Sequence, residues 1–568
     1  MRVADFVIKF LESKKISTVF TVSGGGSIFL CDALYKSKKL KYVSCHHEQA
    51  VSFAAESFSR VKNKPGAAII TTGPGGTNCT TGVACCWIDS VPTMFISGQV
   101  YLNQTIKNTK LRQIGVQEFD IINMVKSSTK YAVMIKDPTE IKYHLEKAYY
   151  TSSEGRPGPV WIDIPVDFQW LDVPFDNQND PQLKKTQNDS QNLRKFKDLY
   201  SKSAKPLFVL GNGIRASCSE ELCREFFRIA KVPFVTTWTS QDLFPTDYEQ
   251  NLGVIGMSGQ KGANKSMFDS DLLVCLGTHL SIPHTTTLVD NFAPNSKKVI
   301  INIDKNQIEN LNVRFDEKIL MSVDVFFKYL LDFKDFNNTS TGLECKKYKD
   351  LNWYGIESDK VNSNVWNRRL TSAAPNKSCF IVDGGGTALY TGFQSTVISS
   401  IEQRIICSSG VSSMGSGLAE TIGVFFSKKF EFISCIIGDG SFFMNMQDLQ
   451  TIAQYNIPVV ISVINNNGYL AIRHTQSEFQ NGRFFGTHPD WGLTLPNIKK
   501  VSRALGIKYI KVDRCDAIDS VIETFVNINK PIVCEVVTCE NQSTLFKQKY
   551  KKNKDGSFSP QDLSDMFP

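Results

Sequence analysis

Three α/β domains, each a doubly wound parallel sheet, are predicted by two features of the sequence. Short β-branched and apolar runs alternate with helical periods along nearly the whole chain, and two polar stretches divide that alternation into three blocks. The length of 568 residues accommodates them at about 150 residues per domain. With 42% apolar and 21% charged residues, the composition is that of a globular protein, neither disordered nor fibrous. Lys and Arg total 64 against 56 Asp and Glu, a net charge of only +8, and acids and bases are interleaved. The longest lysine cluster (Lys547, Lys549, Lys551, Lys552, Lys554) lies near the C-terminus, so a dedicated nucleic-acid binder is not expected. The 15 cysteines form no CxxC pair and no zinc spacing, and their odd number argues against a disulfide framework, so a reducing cytoplasm fits. The opening MRVADFVIKFLESKK has no apolar core before a cleavage site, and no run of about 18 apolar residues follows. Neither secretion nor a membrane span is expected.

The first block, 1–171, opens with a helix predicted over 5–14, where Phe6, Val7, Phe10 and Leu11 share one face. Buried strands are predicted at 67–71, 93–97 and 160–164, the last after the breaker run 155–159. From 172 to 192 the composition shifts to Asn, Gln, Asp, Lys and Pro, which reads as a linker. The middle block, 193–335, carries predicted strands at 207–210, 272–276 and 299–303. A second linker, 336–355, precedes the third block, 356–545, with strands predicted at 379–382, 432–437 and 459–464, and 546–568 forms a tail. No short repeat is visible.

The sharpest chemical signal is Gly438-Asp439-Gly440-Ser441 followed by Asn465-Asn466-Asn467-Gly468. Each group ends a predicted strand, so both lie at the carboxyl edge of one sheet, where open α/β folds bind ligands. A carboxylate (Asp439), an amide oxygen (Asn466) and a free backbone carbonyl (Gly468) are hard oxygen ligands suited to Mg²⁺ completed by phosphate and water. The amides of Gly440 and Ser441 suit a diphosphate at a helix start.

This pairing resembles the signature of thiamine diphosphate-dependent enzymes, and the resemblance to the acetolactate synthase family extends over nearly the whole chain. It implies a pyrimidine-binding, a middle and a diphosphate-binding domain in that order. His47-Glu48-Gln49-Ala50 matches the segment carrying the family's catalytic glutamate. Gly73 to Asn78, Ser97 to Val100, Val116-Gln117-Glu118 and Arg156 to Val160 are similar to family blocks in the same order. Ser413-Met414-Gly415 resembles the segment whose methionine wedges the cofactor.

Under that resemblance, Glu48 holds a proton beside the cofactor's pyrimidine, which requires an apolar pocket that raises its pKa. Met414 fills the space between the bent rings, and the carbonyl of Ser412 receives the amine. The glycine-rich loop Asp383-Gly384-Gly385-Gly386-Thr387 is similar to the first diphosphate loop. Cofactor contacts are thereby implied at Gly385, Gly386, Thr387, Ala388, Ser412, Met414, Asp439, Gly440, Ser441, Asn466, Gly468, Tyr469 and Leu470. Gln117 matches a glutamine facing the reactive end of the cofactor. Gly25, within Ser23-Gly24-Gly25-Gly26, and His47 are candidate substrate contacts. The family arrangement implies a homodimer or homotetramer whose sites combine two chains.

The departures concern the middle domain and the acceptor. Gly211-Asn212-Gly213-Ile214-Arg215-Ala216 imitates a dinucleotide fingerprint, but no acid stands about 20 residues on. Acetolactate synthases hold a non-redox flavin here; their arginine-containing segment is replaced by Gly277-Thr278-His279-Leu280-Ser281, which weighs against FAD. The lysine expected after Arg156-Pro157-Gly158-Pro159 is Val166. The tryptophan that shapes the family's acceptor pocket is Thr475, with Arg473 and His474 beside it as candidate substrate contacts. Segment 465–486 and the tail resemble acetolactate-synthase-like proteins of surface-polysaccharide pathways. The leading expectation is a thiamine diphosphate- and Mg²⁺-dependent carboligase that decarboxylates pyruvate and passes two carbons to a carbonyl acceptor, tilted toward a keto-sugar nucleotide. Acetolactate synthase proper, a simple 2-keto acid decarboxylase, a non-catalytic binding subunit and a flavin-linked oxidase are the alternatives.

Overall fold

The computed structural model describes residues 1–107, 109–174, 192–333, 342–353, 360–525 and 527–563. The predicted first linker lies almost wholly outside the described residues, as do parts of the second and positions 564–568 of the tail.

Runs such as Leu272–Leu276 are buried at every position, the pattern of strands covered by helices on both faces. The first sheet contains β1 (Thr18–Thr21), β2 (Lys41–Ser44), β3 (Gly66–Ile70), β4 (Thr93–Gln99), β5 (Tyr131–Met134) and β6 (Val160–Pro165). Its order is β2-β1-β3-β4-β6-β5. The second contains β7 (Pro206–Leu210), β8 (Phe234–Thr236), β9 (Asn251–Val254), β10 (Leu272–Leu276), β11 (Lys297–Asn302) and β12 (Glu317–Leu320). It is ordered β12-β11-β10-β7-β8-β9. The third contains β13 (Ser378–Val382), β14 (Arg404–Ile406), β15 (Phe432–Gly438), β16 (Val459–Asn465), β17 (Lys508–Val512) and β18 (Ile532–Val537). Its order, β14-β13-β15-β16-β18-β17, repeats that of the first sheet, a duplication that the sequence does not display. All three sheets pair in parallel throughout.

The predicted buried strands recur within two residues at each end. Most strands not anticipated are short or half-exposed, as β5 is at all four positions, but β18 was also missed although it is six residues long and mostly buried. The second predicted linker carries a short helix, Cys345–Lys349. The tail folds into an antiparallel hairpin, β19 (Tyr550–Lys552) with β20 (Phe558–Pro560). Phe558 of that hairpin packs edge-on to Phe479 at 4.6 Å between ring centres. No helix among the described residues is long and apolar enough to cross a membrane.

Six helices position the site: α1 (Glu48–Lys62), α2 (Thr80–Ile88), α3 (Gly386–Ser395), α4 (Ser416–Phe426), α5 (Asp439–Met444) and α6 (Leu470–Gln480). Helix α1 of the first domain crosses α4 of the third with no room for a side chain. A Cβ on Gly423 would stand 2.0 Å from the Ala54 carbonyl oxygen. The Ser57 hydroxyl donates to the Glu420 carbonyl at 2.9 Å. Val51, Phe53 and Ala54 share one apolar cluster with Leu418, Ala419 and Ile422, so the two domains have a common core.

Charged groups are sealed into the same contact. The Ser408 hydroxyl lies 3.1 Å from Glu56 Oε1 and 2.8 Å from Glu420 Oε1. Burial, reinforced by Glu56, pushes the Glu420 carboxyl up to about 8, so it carries a proton at neutral pH. A folded-state pKa above the unfolded value means that folding takes up a proton. The stability that Glu420 contributes is therefore lost as pH rises from about 4.5 to about 8. Glu420→Gln should keep the Ser408 contact and remove this dependence. Its melting temperature is expected to gain on the wild type across that pH interval, and parallel melting profiles would refute the assignment.

Candidate functional site

In a sheet ordered like the third, the order reverses between β13 and β15, and the crevice there opens at their carboxyl ends. The loop after β13, the turn after β15 and the turn after β16 all emerge at that edge. Asp439 follows β15 and is 2% exposed. Its Oδ1 accepts the Gly440 amide at 2.7 Å, and its Oδ2 accepts the amides of Gly468 at 2.9 Å and Asn466 at 3.2 Å. Burial raises this carboxyl to about 6, and the same three amides pull against that rise. The sequence-distant motifs thus converge on one carboxylate.

The fit to a divalent cation is read from Asn466. Its side chain is buried, its Nδ2 reaches Thr387 Oγ1 at 3.5 Å, and its Oδ1 has no hydrogen-bond partner. An orphaned buried amide oxygen next to a buried carboxylate is an acceptor set awaiting a cation. Gly468 has φ +118°, and a Cβ there would stand 2.4 Å from the Thr487 carbonyl oxygen, so only glycine serves. Among the described residues, no three His, Cys, Asp or Glu side chains form a competing metal cluster.

The glycine-rich loop after β13 is equally pared down. Gly386 has φ +66° and opens α3 with nothing near its Cβ position, which leaves the first-turn amides of Thr387 and Ala388 approachable. A Cβ on Gly440 would strike the Tyr469 ring at 2.1 Å. Ser441 is buried in the first turn of α5, and Leu470 is buried at the start of α6.

The wedge segment sits against the same loop. A Cβ on Gly385 would be 2.2 Å from Met414 Cγ, and one on Gly384 would be 2.5 Å from the Ser413 carbonyl oxygen. Ser412 adopts φ +56°, a left-handed conformation held by its amide on the Ser408 carbonyl and its hydroxyl on the Ser409 carbonyl. Asp383, fully buried, accepts the Gly417 amide at 3.0 Å and joins the two loops. Its carboxyl is raised by burial to about 6.

In the first domain Glu48 opens α1. The imidazole of His47 caps that helix by accepting the Gln49 amide at 3.1 Å. Glu48 Oε2 accepts Asn78 Nδ2 at 2.9 Å. The carboxyl is only half-buried in the single chain, although Ala50, Val51, Phe53, Ala54 and Ala55 behind it are buried. Gln117 is exposed with φ +64°, its backbone seated on Gly73, where a Cβ would stand 2.5 Å from the Gln117 carbonyl oxygen. Gly25 is exposed at the start of a short turn over Gly25–Ser27.

Comparison with known proteins follows the same division. Three family descriptions match: "Thiamine pyrophosphate enzyme, N-terminal TPP binding domain" over residues 1–124, the central domain over 193–330, and the C-terminal TPP binding domain over 384–536. A relative from Methanocaldococcus jannaschii, named "Probable acetolactate synthase large subunit", is 30% identical over 94% of this chain and 92% of its own. The chain belongs to the thiamine pyrophosphate enzyme family. The acetolactate synthase large subunit of Cyanidium caldarium is 29% identical, covering 94% of this chain and 93% of its own. Isozyme 2 of Escherichia coli strain K12 is 26% identical at 94% and 95% coverage. The protein is a thiamine diphosphate-dependent enzyme of the acetolactate synthase type.

For this thiamine enzyme, one expected substrate contact, Arg473, is corrected. Arg473 is 4% exposed and donates to the carbonyls of Asn466 (2.7 Å), Thr487 (2.9 Å), Glu540 (2.9 Å) and Asn467 (3.2 Å). Its guanidinium is consumed in fixing the backbone of the turn after β16 and is not open to substrate. His474 is half-buried on α6, its pKa lowered by burial and by Lys547 and Arg473, with its ring on the Gln542 backbone. In the middle domain, the reversal between β7 and β10 forms a cleft of about 280 Å³ lined by Asn212, Thr237, Thr278, His284 and Asn302. Asn78 and Asp383 were not assigned from the sequence; both stand inside quoted motifs, and the missing signal was which side chain turns inward.

Replacing Asp439 by Ala should abolish the gain in thiamine diphosphate affinity that Mg²⁺ confers, a loss of about 10–100-fold or more in titration calorimetry. Unchanged Mg²⁺-dependent affinity would remove Asp439 from the metal site.

Proposed function

We propose that this enzyme is a Mg²⁺-dependent carboligase that takes a two-carbon unit from pyruvate and adds it to a keto-sugar nucleotide. The observation that carries the acceptor is the outer face of α6. Thr475 is exposed there, its hydroxyl turned back onto the Ala471 carbonyl at 3.2 Å, where the family resemblance expects an indole. The relatives' name, acetolactate synthase, supports the 2-keto acid donor and also the second reading, in which pyruvate is the acceptor.

When bound, thiamine diphosphate supplies the electron sink for decarboxylation and the nucleophilic carbon for bond formation. The chain's residues bind and orient. Asp439, Asn466 Oδ1 and the Gly468 carbonyl would hold Mg²⁺, while the amides of Thr387, Ala388 and Ser441 would receive phosphate oxygens, that of Gly440 being taken by Asp439 Oδ1. Met414 and the Ser412 carbonyl would contact the cofactor beside the Gly385 loop. Glu48, oriented by Asn78, would meet the pyrimidine nitrogen, and Gln117 would face the carbonyl substrate.

A second copy of the chain completes the site. Val116 beside Gln117 is 87% exposed, and Phe485 beyond α6 is 88% exposed, an apolar rim on each half-site. Glu48→Gln and Asp439→Ala should each be inactive alone. In a dimer whose sites draw Glu48 and Asp439 from different chains, mixing and reassociating the two variants restores about a quarter of wild-type activity, because half the dimers carry one intact site of two. No recovery would place both residues in one chain's site.

Mass spectrometry of products from pyruvate, with and without a panel of nucleotide-linked 4-keto sugars, tests the acceptor. A two-carbon mass gain on a sugar is the expected result. Acetolactate alone supports the second reading, and acetaldehyde with CO₂ reduces the enzyme to a decarboxylase.

A further inference from the structure

The wedge segment is held from behind by a buried polar cluster that no catalytic role accounts for. Asp89, at the end of α2, belongs to the first domain, yet it accepts two backbone amides of the third: Ser409 at 2.9 Å on Oδ2 and Gly410 at 3.0 Å on Oδ1. Arg60 of α1 lies behind it, with Nη2 2.5 Å from Asp89 Oδ2 and 2.6 Å from Glu56 Oε1, and with Nε donating to the same Glu56 oxygen at 2.8 Å. The side chains of Glu56, Arg60 and Asp89 are 0%, 7% and 4% exposed. A buried ion cluster is weak evidence for stability, since desolvation offsets most of its Coulombic gain. Such a cluster is better explained by what it fixes.

What it fixes is the short path of backbone from Ser408 to Met414. Gly410 is pressed onto α2 so closely that a Cβ would stand 2.2 Å from Ile88 Cγ2 and 2.6 Å from Asp89 Oδ1. Two residues earlier, Ser408 touches Glu56 and Glu420. Two residues later, Ser412 is turned into its left-handed conformation by bonds to the carbonyls of Ser408 and Ser409, the residues the cluster anchors. Met414 then lands on Gly385. The backbone from 408 to 414 is therefore pinned at its near end by the first domain of the same chain.

We propose that Asp89, braced by Arg60 and Glu56, is a positioning residue that sets the placement of the Ser412 carbonyl and the Met414 side chain by fixing the amides of Ser409 and Gly410. This rests on the cofactor roles given to Ser412 and Met414 above. Because α1 begins at Glu48 and carries Glu56 and Arg60 about 12 and 18 Å further along, at 1.5 Å per residue, one helix supplies the acid of one site of the dimer and braces the wedge of the other.

The test compares Asp89→Ala, Asp89→Asn, Ser408→Ala and Met414→Ala with the wild type. The readouts are backbone amide hydrogen exchange over 405–415 in the cofactor-free protein, thiamine diphosphate affinity, and the split between kcat and KM for pyruvate. Asp89→Ala should speed exchange at Ser409 and Gly410 and lower kcat by about 10–100-fold with little change in KM, the scale of loss expected from misplacement by about 1 Å. Asp89→Asn, which still offers one oxygen to the amides, should recover part of both. Wild-type exchange and kcat in Asp89→Ala overturn the proposal, and so does faster exchange with wild-type kcat. If Asp89→Ala does not fold, Ser408→Ala, which removes one hydroxyl from the same anchor, is read by the same two criteria. Met414→Ala with wild-type kcat refutes the wedge role itself, separately from any result at Asp89.

Discussion

A buried carboxylate held by three backbone amides is the constraint on which the third domain is built. Asp439 has three amides within hydrogen-bond distance, and those amides belong to its own turn and to the turn after the neighbouring strand. The arrangement works only if β15 and β16 are adjacent and parallel, so that both turns face one edge. It also requires glycine at 440 and 468, where any side chain would strike Tyr469 or the Thr487 backbone. Arg473 completes it from the other side by gathering four carbonyls that would otherwise point into a low-dielectric interior without donors. Charge, strand order and glycine placement are thus consequences of one oxygen-rich site.

The parts of this architecture that the sequence displayed are those governed by local rules. Fully buried parallel strands read as apolar runs, and turns needing positive φ or close approach read as glycine. The cofactor motifs were legible because several rare residue types had to coincide at strand ends. What stayed hidden depended on three-dimensional neighbours. Arg473 follows a conspicuous motif and looks like a substrate contact, but only the fold shows that its donors are already taken. Asn78 and Asp383 were visible as letters within recognised segments, while the direction of their side chains was not. The shared strand order of the first and third sheets left no trace in residue identities, since topology constrains burial patterns and not particular side chains.

The departures from the acetolactate synthase pattern lie at the periphery of the chemistry. The motifs that resemble the family's cofactor segments are retained as a set, whereas the changes fall on Val166, on the middle-domain loop at 277–281 and on the outer face of α6. That distribution is expected when one cofactor's reaction is kept and the second substrate differs, because the electron sink needs a fixed cradle while the acceptor needs only a differently shaped wall.

The crossing of α1 and α4 has a consequence for how the protein is made. Ser57 and the Glu420 carbonyl that it touches are 363 residues apart in the chain. At the usual 5–20 residues per second, on the order of 20–70 s separate the emergence of α1 from the ribosome and the arrival of its partner. Throughout that interval the faces of Val51, Phe53 and Ala54 have only half of their core, and the Glu56–Arg60–Asp89 cluster lacks the amides that it will grip. The nascent first domain is therefore a natural client for a chaperone, and a nascent chain stalled in the middle domain would be prone to aggregate through that face.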